Sequence, residues 1–298
     1  MKVLVIIVSY NFEPWLDLCL GSLRRSEHPV SVMVVDNASA DQTVNRITRD
    51  YPEVILVRND QNRGFGAANN QGFRYALREN FDYVFLLNQD ACIARDTLPV
   101  LLDHAGKHRN FGIFSPLHLN SRGDDFDPGF RSYSGLSRLS NVTGHDLVEC
   151  SFINAALWLI PVPVLKKTGG FAPIFTHYGE DGDYVNRLKF HGFKTGYAEN
   201  AVGYHCRENR PVSHEKFMYA EYVYFLTEAV NPNYSQVKAR AYSVLAAIKK
   251  ALASFLKGEG KTGRQYLEIT RRLLAESGNI GKTRHCSIHR EGAFLEIN

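Results

Sequence analysis

The chain has 298 residues, of which 44% are hydrophobic and 22% charged, and its formal net charge is +4. This composition is ordinary for a soluble globular protein, and the length suits one large α/β domain with an appendage or two modest domains. Five scattered cysteines without a CxxC spacing argue against a disulfide framework or a zinc site and favour a reducing compartment. No apolar run approaches the roughly 18 residues of a membrane-spanning helix, and the start lacks a small-residue cleavage site, so we predict a cytoplasmic protein.

The charge is unevenly distributed along the chain. From Lys238 to the end there are 12 Lys or Arg and 5 Asp or Glu, whereas the preceding part has 23 and 26. This asymmetry predicts a basic C-terminal segment that meets an anionic partner.

Strand-like and helix-like stretches alternate in the first ninety residues. Continuous apolar runs at 3–8, 30–35, 54–57 and 83–87 predict buried strands, and helical spacing of apolar residues appears between them. This alternation predicts an α/β fold with a doubly wound, mainly parallel sheet sandwiched by helices.

The second half of the chain is less regular. Residues 120–146 are polar and predict a surface excursion that serves as a mobile lid. A helix is predicted from about Asp183 to Gly192, and a short strand at 201–204 ends at His205. After Pro211 the pattern becomes helical, so we predict a sheet domain over 1–210 and a basic helical C-terminal extension over 211–298.

Polar residues follow several predicted strands at the point where each strand ends. They are Ser9, Tyr10 and Asn11, the stretch 36–39, then Asn88, Gln89 and Asp90, and finally His205. Ligands of open α/β sheets bind outside the carboxyl ends of the strands, and a carboxylate there can hold a divalent cation against phosphates. The alternative is that 88–90 forms only a turn followed by a helix cap.

Two of these strand ends have simpler explanations as well. Asp36, after the second strand, is placed to accept hydrogen bonds from a nucleobase or ribose, but on its own a turn or Asx cap explains it better. Asn11 lies beside Pro14 at a predicted helix start, where capping explains it as well as ligand contact does.

The segment NRGFGAANN (62–70) partly matches a dinucleotide fingerprint. Gly64 and Gly66 fit GxG, but Asn69 stands where the third glycine or alanine belongs, and the segment follows the third strand rather than the first. The tight turn and helix N-terminus still suit a phosphate or sugar hydroxyls. Alternatively, the glycines only allow the loop to fold.

An acidic cluster of Glu180, Asp181 and Asp183 is denser than a helix start requires, although acidic residues also favour helix N-termini. Asp183 has Arg187 four positions on, the spacing of a helical ion pair. We therefore expect Asp183 to be structural, with a lowered pKa. His205 alone would be explained equally well as a structural histidine.

The chain resembles the inverting glycosyltransferases of family 2, which have the GT-A fold, in a series of ordered motifs: VSYN, VVDNASADQT, NRGFGAANN, LLNQD, GGF, HYGED and a histidine at a strand end. The nearest-looking branch contains rhamnosyltransferase-like and galactofuranosyl-transferring enzymes. The match covers roughly residues 3–205, about two thirds of the chain.

The resemblance implies a role for each matching residue. The nucleotide and donor sugar would be bound by Ser9, Tyr10, Asn11, Asp36, Asn62, Gly64, Asn69 and Asn88. Asp90 and His205 would hold Mg²⁺ or Mn²⁺ against the diphosphate, Asp181 would be the catalytic base, and Glu180 would meet an acceptor hydroxyl. Asn88 replaces the first aspartate of the family's DxD motif, which predicts a lower metal affinity.

We therefore predict transfer of a sugar from a dTDP- or UDP-linked donor to a saccharide acceptor, in bacterial surface polysaccharide synthesis. A lipid-linked glycan acceptor would explain a basic extension that meets the inner face of the cell membrane; no nucleic acid partner is expected. One alternative is a nucleotidyltransferase, which would carry a basic glycine-rich loop after the first strand, where SYNFEP has none. A dehydrogenase and a non-catalytic nucleotide-sugar or glycan-binding protein are the others.

Overall fold

The structure is a computed structural model that describes residues 1–142, 144, 147–206 and 213–296. Its strands are β1 (Val3–Ser9), β2 (Ser31–Asp36), β3 (Ile55–Arg58), β4 (Tyr83–Leu87), β5 (Ala91–Ile93), β6 (Phe111–Asn120), β7 (Leu147–Cys150), β8 (Leu157–Pro161) and β9 (Lys194–His205). Its α-helices are α1 (Leu16–Arg24), α2 (Thr43–Asp50), α3 (Phe65–Arg78), α4 (Thr97–Lys107), α5 (Pro128–Ser134), α6 (Val162–Thr168), α7 (Glu180–Phe190), α8 (His214–Val230), α9 (Gln236–Leu256), α10 (Gly260–Ala275) and α11 (Ser277–His289).

The strands form one mixed sheet in the order β3-β2-β1-β4-β8-β6-β9-β5, and β7 pairs with β9. The first four strands along this order are parallel, as predicted. The strand β8 then runs antiparallel to β4, and β5 runs antiparallel to β9. The carboxyl ends of β1, β2 and β4 therefore lie at one edge of the sheet, where polar residues follow each strand.

The central strands are buried on both faces, which explains their continuous apolar sequences. In β1, Val5 and Ile7 pack in one core with residues of α1 and α4. Leu4 and Ile6 pack in the opposite core with residues of α3, α6 and α7. Successive side chains of a strand point to opposite faces, so an alternating pattern would have left one face exposed to water.

The C-terminal helices have a core of their own, built from α8, α9, α10 and α11. Ala172 and Phe175, which precede α7, are part of this core, so the helices pack against the sheet domain. The chain end returns to the sheet domain as well: Gly170 donates from its N–H to the Ala293 carbonyl at 2.8 Å. None of the helices that the structure describes is long and apolar enough to cross a membrane.

Three predicted elements differ from the structure. The helix expected from Asp183 begins at Glu180, so the acidic cluster lies in its first turn. The strand expected at 201–204 is the end of the longer β9. The stretch 120–146 is not only a surface excursion, because Phe126 and Phe130 are buried there and α5 follows. Residues 143, 145 and 146 of the expected lid lie outside the described residues.

Candidate active site

The ends of β1 and β2 are joined through the Asp36 carboxylate. Ser9 Oγ donates to Asp36 Oδ1 at 2.9 Å, and the Ser39 N–H donates to Asp36 Oδ2 at 3.0 Å. Ser9 and Asp36 are almost fully buried. The bond from Ser39 is the Asx-type turn that the sequence offered as the simpler explanation of Asp36. Contact of Ser9 or Asp36 with a nucleotide stays a prediction.

The residues after β1 connect this edge to the end of β4. Asn11 has a positive φ of 52°, and its side-chain oxygen accepts from the Ala40 N–H at 2.9 Å. The N–H of Tyr10 donates to Gln89 Oε1 at 2.8 Å, and Gln89 Nε2 donates back to the Tyr10 carbonyl at 3.2 Å. The Tyr10 side chain is 50% exposed, which leaves its ring accessible beside the polar residues 88–90.

The glycine-containing loop before α3 is held by asparagines. Asn62 Oδ1 accepts from the Gly64 N–H at 2.9 Å, and Asn37 Nδ2 donates to the Gly64 carbonyl at 3.3 Å. Gly64 has a φ of 79°, and a Cβ at this position would lie 2.6 Å from the carbonyl oxygen of Thr176. This loop therefore needs glycine both for its conformation and for the close approach of the segment before α7.

Asn69 is buried within α3, where its Nδ2 donates to the Phe65 carbonyl at 3.0 Å. This intrahelical bond accounts for Asn69 without a ligand. The neighbouring Asn70, which the sequence did not single out, exchanges two hydrogen bonds with the backbone of Phe171, at 2.8 and 2.9 Å. It fixes the GGF turn against α3, and the doubled asparagine was the available signal.

Asp90 and His205 meet because the strands that carry them pair. Ala91 lies opposite His205 in the antiparallel register of β5 and β9, and the Cys206 N–H donates to the Asp90 carbonyl at 2.7 Å. As a result His205 Nε2 lies 3.3 Å from Asp90 Oδ1 and 3.5 Å from Asn88 Nδ2. The structure thus brings together the two residues expected to bind a metal.

The other ring nitrogen of His205 faces Asp127, a residue that the sequence did not identify. His205 Nδ1 lies 3.5 Å from Asp127 Oδ2, which is long for a hydrogen bond but within ion-pair distance. Asp127 is fully buried at the N-terminus of α5, where its Oδ1 accepts from the Phe130 N–H at 3.0 Å. Burial lowers the pKa of His205, but contacts with Asp127 and Asp90 raise it by more, to about 8.

The donor set fits a divalent cation only in part. Carboxylate oxygen is a ligand that Mg²⁺ prefers, and imidazole suits transition metals such as Mn²⁺ less strongly than carboxylate does. In the parts of the chain that the structure describes, no group of three His, Cys, Asp or Glu side chains could hold a metal ion. Asp127 does not complete such a group with Asp90, since it faces the opposite ring nitrogen. Asp90 and His205 can therefore supply two ligands, and a bound diphosphate would have to supply others.

The acidic cluster divides into a structural and a candidate catalytic part. Arg187 Nε donates to Asp183 Oδ2 at 2.9 Å, and both side chains are fully buried. The guanidinium also donates to the carbonyls of Thr168 and Gly170, at 2.5 and 2.6 Å. The predicted ion pair is confirmed, but the predicted lowering of the Asp183 pKa is wrong, because burial raises it against the opposing effect of Arg187.

Glu180 and Asp181 differ in their surroundings. Glu180 is 7% exposed, lies beside the Gly66 position, and within the described residues its Oε2 has no hydrogen-bond partner. Burial raises the pKa of Glu180 to about 7, its own N–H opposes this, and the charge of Asp181 adds to it. Asp181 is half-buried, and its Oδ1 accepts from the Gly182 N–H at 2.8 Å.

Comparison with known proteins identifies relatives over most of the chain. The model of the family described as Glycosyl transferase family 2 matches residues 4–157, which is more than half of the chain. An N-acetylglucosaminyl-diphospho-decaprenol L-rhamnosyltransferase of Mycobacterium tuberculosis is 27% identical over 244 residues, 70% of this chain and 79% of that protein. A low-salt glycan biosynthesis hexosyltransferase, Agl10, of Haloferax volcanii is 25% identical over 228 residues, 74% of this chain and 71% of that protein.

Solved structures resemble the chain along its whole length. TarS residues 1–349 from S. aureus, in complex with UDP-GlcNAc, gives a TM-score of 0.59 at 14% identity, covering 100% of this chain and 94% of that one. The mannosyltransferase PcManGT from Pyrobaculum calidifontis, in complex with GDP-Man and Mn²⁺, gives 0.55 at 20% identity, covering 93% and 75%. At these identities the likeness shows the fold, which is the predicted GT-A fold.

Proposed function

The chain belongs to glycosyltransferase family 2, and on that premise we propose that it is an inverting, metal-dependent enzyme that uses a dTDP- or UDP-linked sugar donor. The proposed acceptor is a lipid-linked saccharide of a bacterial surface glycan. The names of relatives that act on polyprenol-linked substrates support this choice, since the M. tuberculosis protein is described as using a diphospho-decaprenol acceptor.

One observation carries the proposal: Asp90 and His205 lie 3.3 Å apart beside the polar strand ends. We assign the donor nucleotide to Ser9, Tyr10, Asn11 and Asp36, and its diphosphate and sugar to the loop around Asn62 and Gly64, with Asn88. Asp90 and His205 would hold Mg²⁺ or Mn²⁺, which when bound neutralises the charge of the departing diphosphate.

The proton in this reaction needs an acceptor among the chain's own residues. The acceptor hydroxyl oxygen forms a bond to the anomeric carbon while the bond from that carbon to the diphosphate breaks, and this single displacement inverts the centre. We assign the released hydroxyl proton to the carboxylate of Asp181, which is half-buried and lies in the first turn of α7. Glu180 would position an acceptor hydroxyl.

The helical extension would meet the inner face of the cell membrane. The helix α9 presents Leu245, Leu252 and Leu256 to solvent, with exposed fractions of 62%, 58% and 90%, and Lys249 is exposed among them. Such a mixture of leucine and lysine suits the headgroup region of anionic lipid. Vesicle sedimentation tests this: we expect retention on anionic vesicles, and equal retention on neutral vesicles would reject the electrostatic part.

The reaction is tested by release of nucleoside diphosphate, after a thermal-shift screen of nucleotide sugars with and without Mn²⁺ has identified the donor. We expect Asp181→Asn to bind the donor normally and to lower turnover by at least ~10²-fold, the low end for a lost general base. The matched variant is Glu180→Gln. Near-normal turnover by Asp181→Asn with an inactive Glu180→Gln would move the role of base to Glu180. Donor binding without any turnover by the wild type would instead indicate a non-catalytic binding protein.

A further inference from the structure

A cavity of about 510 Å³ lies between the segment 173–178 and the helices α8, α10 and α11. Its volume is in the range of about 300–1,000 Å³ that is typical of small-molecule sites. None of the residues assigned above to the donor, the metal or the proton transfer lines it. The sheet domain and the helical extension both contribute walls, so the cavity exists only because the two pack together.

The inner wall of the cavity is apolar. Phe175 comes from the segment before α7, while Tyr222, Val223 and Leu226 come from α8, and all four are buried. An apolar wall of this kind favours a hydrocarbon chain over water, by an amount that grows with the buried area.

The rim of the cavity is cationic. Arg272 of α10 and Lys282 of α11 line it and are exposed, with Glu276 as the one carboxylate among the lining residues. The guanidinium of Arg272 lies over the ring of Tyr222, 3.9 Å from its centroid. Stacking engages the face of the guanidinium, so its N–H edges remain available to the oxygens of a phosphate.

The cavity is adjacent to the proposed site of proton transfer. Tyr178 lines it and is separated by three positions from Asp181, a span of at most about 11 Å even for an extended chain. The Tyr219 hydroxyl donates to the His177 carbonyl at 2.8 Å, which fixes the segment against α8. Thr176 lines the cavity too, while its carbonyl approaches the donor loop at Gly64.

We infer that this cavity binds the lipid-diphosphate part of the acceptor, an isoprenoid diphosphate that carries the saccharide. The apolar wall takes the isoprenoid units nearest the diphosphate, Arg272 and Lys282 bind the diphosphate, and the saccharide extends past Tyr178 toward Asp181. The inference rests on the proposed function and names the substrate class of the same site. The helix that supplies Arg272 also presents Leu267 and Leu274 to solvent, which suits delivery of a lipid from a membrane surface.

The cavity contains its own reporter. Cys286 lines it and is half-buried, whereas Cys150, also half-buried, lies in β7 outside it. We expect saturating farnesyl diphosphate, a short isoprenoid diphosphate, to slow maleimide labelling of Cys286 by about tenfold or more and to leave Cys150 unchanged, as measured by mass spectrometry of the peptides. Inorganic pyrophosphate and farnesol, each lacking one half of the probe, should protect Cys286 much less.

Calorimetric titration with farnesyl diphosphate then tests the rim. Arg272→Gln and Lys282→Gln should each weaken binding by about tenfold, as expected for a charge-assisted hydrogen bond. The matched control is Arg271→Gln, since Arg271 is the exposed neighbour on α10 but pairs with Glu268 at 2.7 Å and does not line the cavity. This control should bind the probe as the wild type does.

Several results would overturn the inference. Protection of Cys286 by pyrophosphate alone would identify a simple phosphate site, and equal protection by farnesol would remove the role of the cations. Equal weakening by Arg271→Gln and Arg272→Gln would reduce the effect to general surface charge. Donor binding with Mn²⁺, measured on the same variants, keeps the two proposals apart: lost donor binding in the wild type refutes the proposed function, whereas intact donor binding without probe binding refutes only this inference.

Discussion

Replacement of Glu180 by Gln should make the folded protein more stable at alkaline pH. The Glu180 carboxylate is 7% exposed, and its Oε2 has no hydrogen-bond partner in the described part of the chain. Burial raises its pKa from an ordinary value of 4.5 to about 7, and the charge of Asp181 contributes in the same direction. Ionisation of this group in the folded state is therefore costly, and Gln cannot ionise.

The size and sign of the effect follow from proton linkage. A pKa raised from 4.5 to about 7 corresponds to about 3 kcal/mol of differential free energy between the two protonation states. Between these values the folded state holds a proton that the unfolded state has released, so the free energy of unfolding falls as pH rises through this window. Between pH 5 and pH 8 we expect Glu180→Gln to gain about 2–3 kcal/mol relative to the wild type.

Urea unfolding at pH 5, 6, 7 and 8, with EDTA and without donor, measures this difference. The control is Glu215→Gln, which removes an exposed carboxylate from the first turn of α8 and should follow the wild type across the pH range. Parallel curves for the wild type and Glu180→Gln would refute the reasoning, because they would mean that Glu180 ionises in the folded state as easily as in the unfolded chain.

Two further predictions concern the metal ligands and the buried ion pair. Asp90→Ala should abolish the Mn²⁺ dependence of nucleoside-diphosphate binding in calorimetric titrations, and Asp127→Asn should weaken Mn²⁺ binding by roughly 10-fold, because it orients the ring of His205. Unchanged titrations would contradict both. Asp183→Asn should cost about 3 kcal/mol of unfolding free energy, since it leaves the buried Arg187 without its carboxylate. Asp103→Asn, in an exposed pair of the same i,i+4 spacing, should cost at most about 0.5 kcal/mol.

The sequence was sufficient for the first half of the sheet because its signals there are local. Each of β1, β2 and β4 is a continuous apolar run that stops at polar residues, and parallel pairing of such strands follows from the intervening helices. The strand β9 is different, since KTGYAENAVGYH mixes polar and apolar residues over its full length. Its extent is fixed by pairing with β6 and β5, which no local pattern reveals.

The same distinction applies to the candidate site. Asp90 and His205 were predicted because each stands at the end of an apolar stretch, and the register of β5 and β9 brings them together. Asp127 could not be predicted in the same way, because it lies in a polar segment and reaches His205 only through the fold of α5. Asn69 was assigned to the donor, but it lies one turn into α3, where an intrahelical bond to Phe65 uses its side chain.

Gly64 connects the donor loop to the proposed acceptor cavity, and its replacement tests that connection. Its φ of 79° and ψ of 170° are accessible in practice only to glycine, and a Cβ would lie 2.6 Å from the Thr176 carbonyl oxygen. Gly135 has a φ of 74° but nothing within 4 Å of its Cβ position, so Gly135→Ala reports the left-handed conformation alone. We expect Gly135→Ala to cost about 1 kcal/mol of unfolding free energy.

Gly64→Ala should cost about 2 kcal/mol more than Gly135→Ala, because backbone strain and the displaced Thr176 carbonyl add to the penalty. The displaced segment 173–178 also forms one wall of the cavity, so donor binding and the protection of Cys286 by farnesyl diphosphate should weaken together in Gly64→Ala and stay intact in Gly135→Ala. Thermal shift with the donor and maleimide labelling measure the two. If donor binding weakened while Cys286 protection stayed at its wild-type level, the donor loop and the cavity would not be coupled through Thr176.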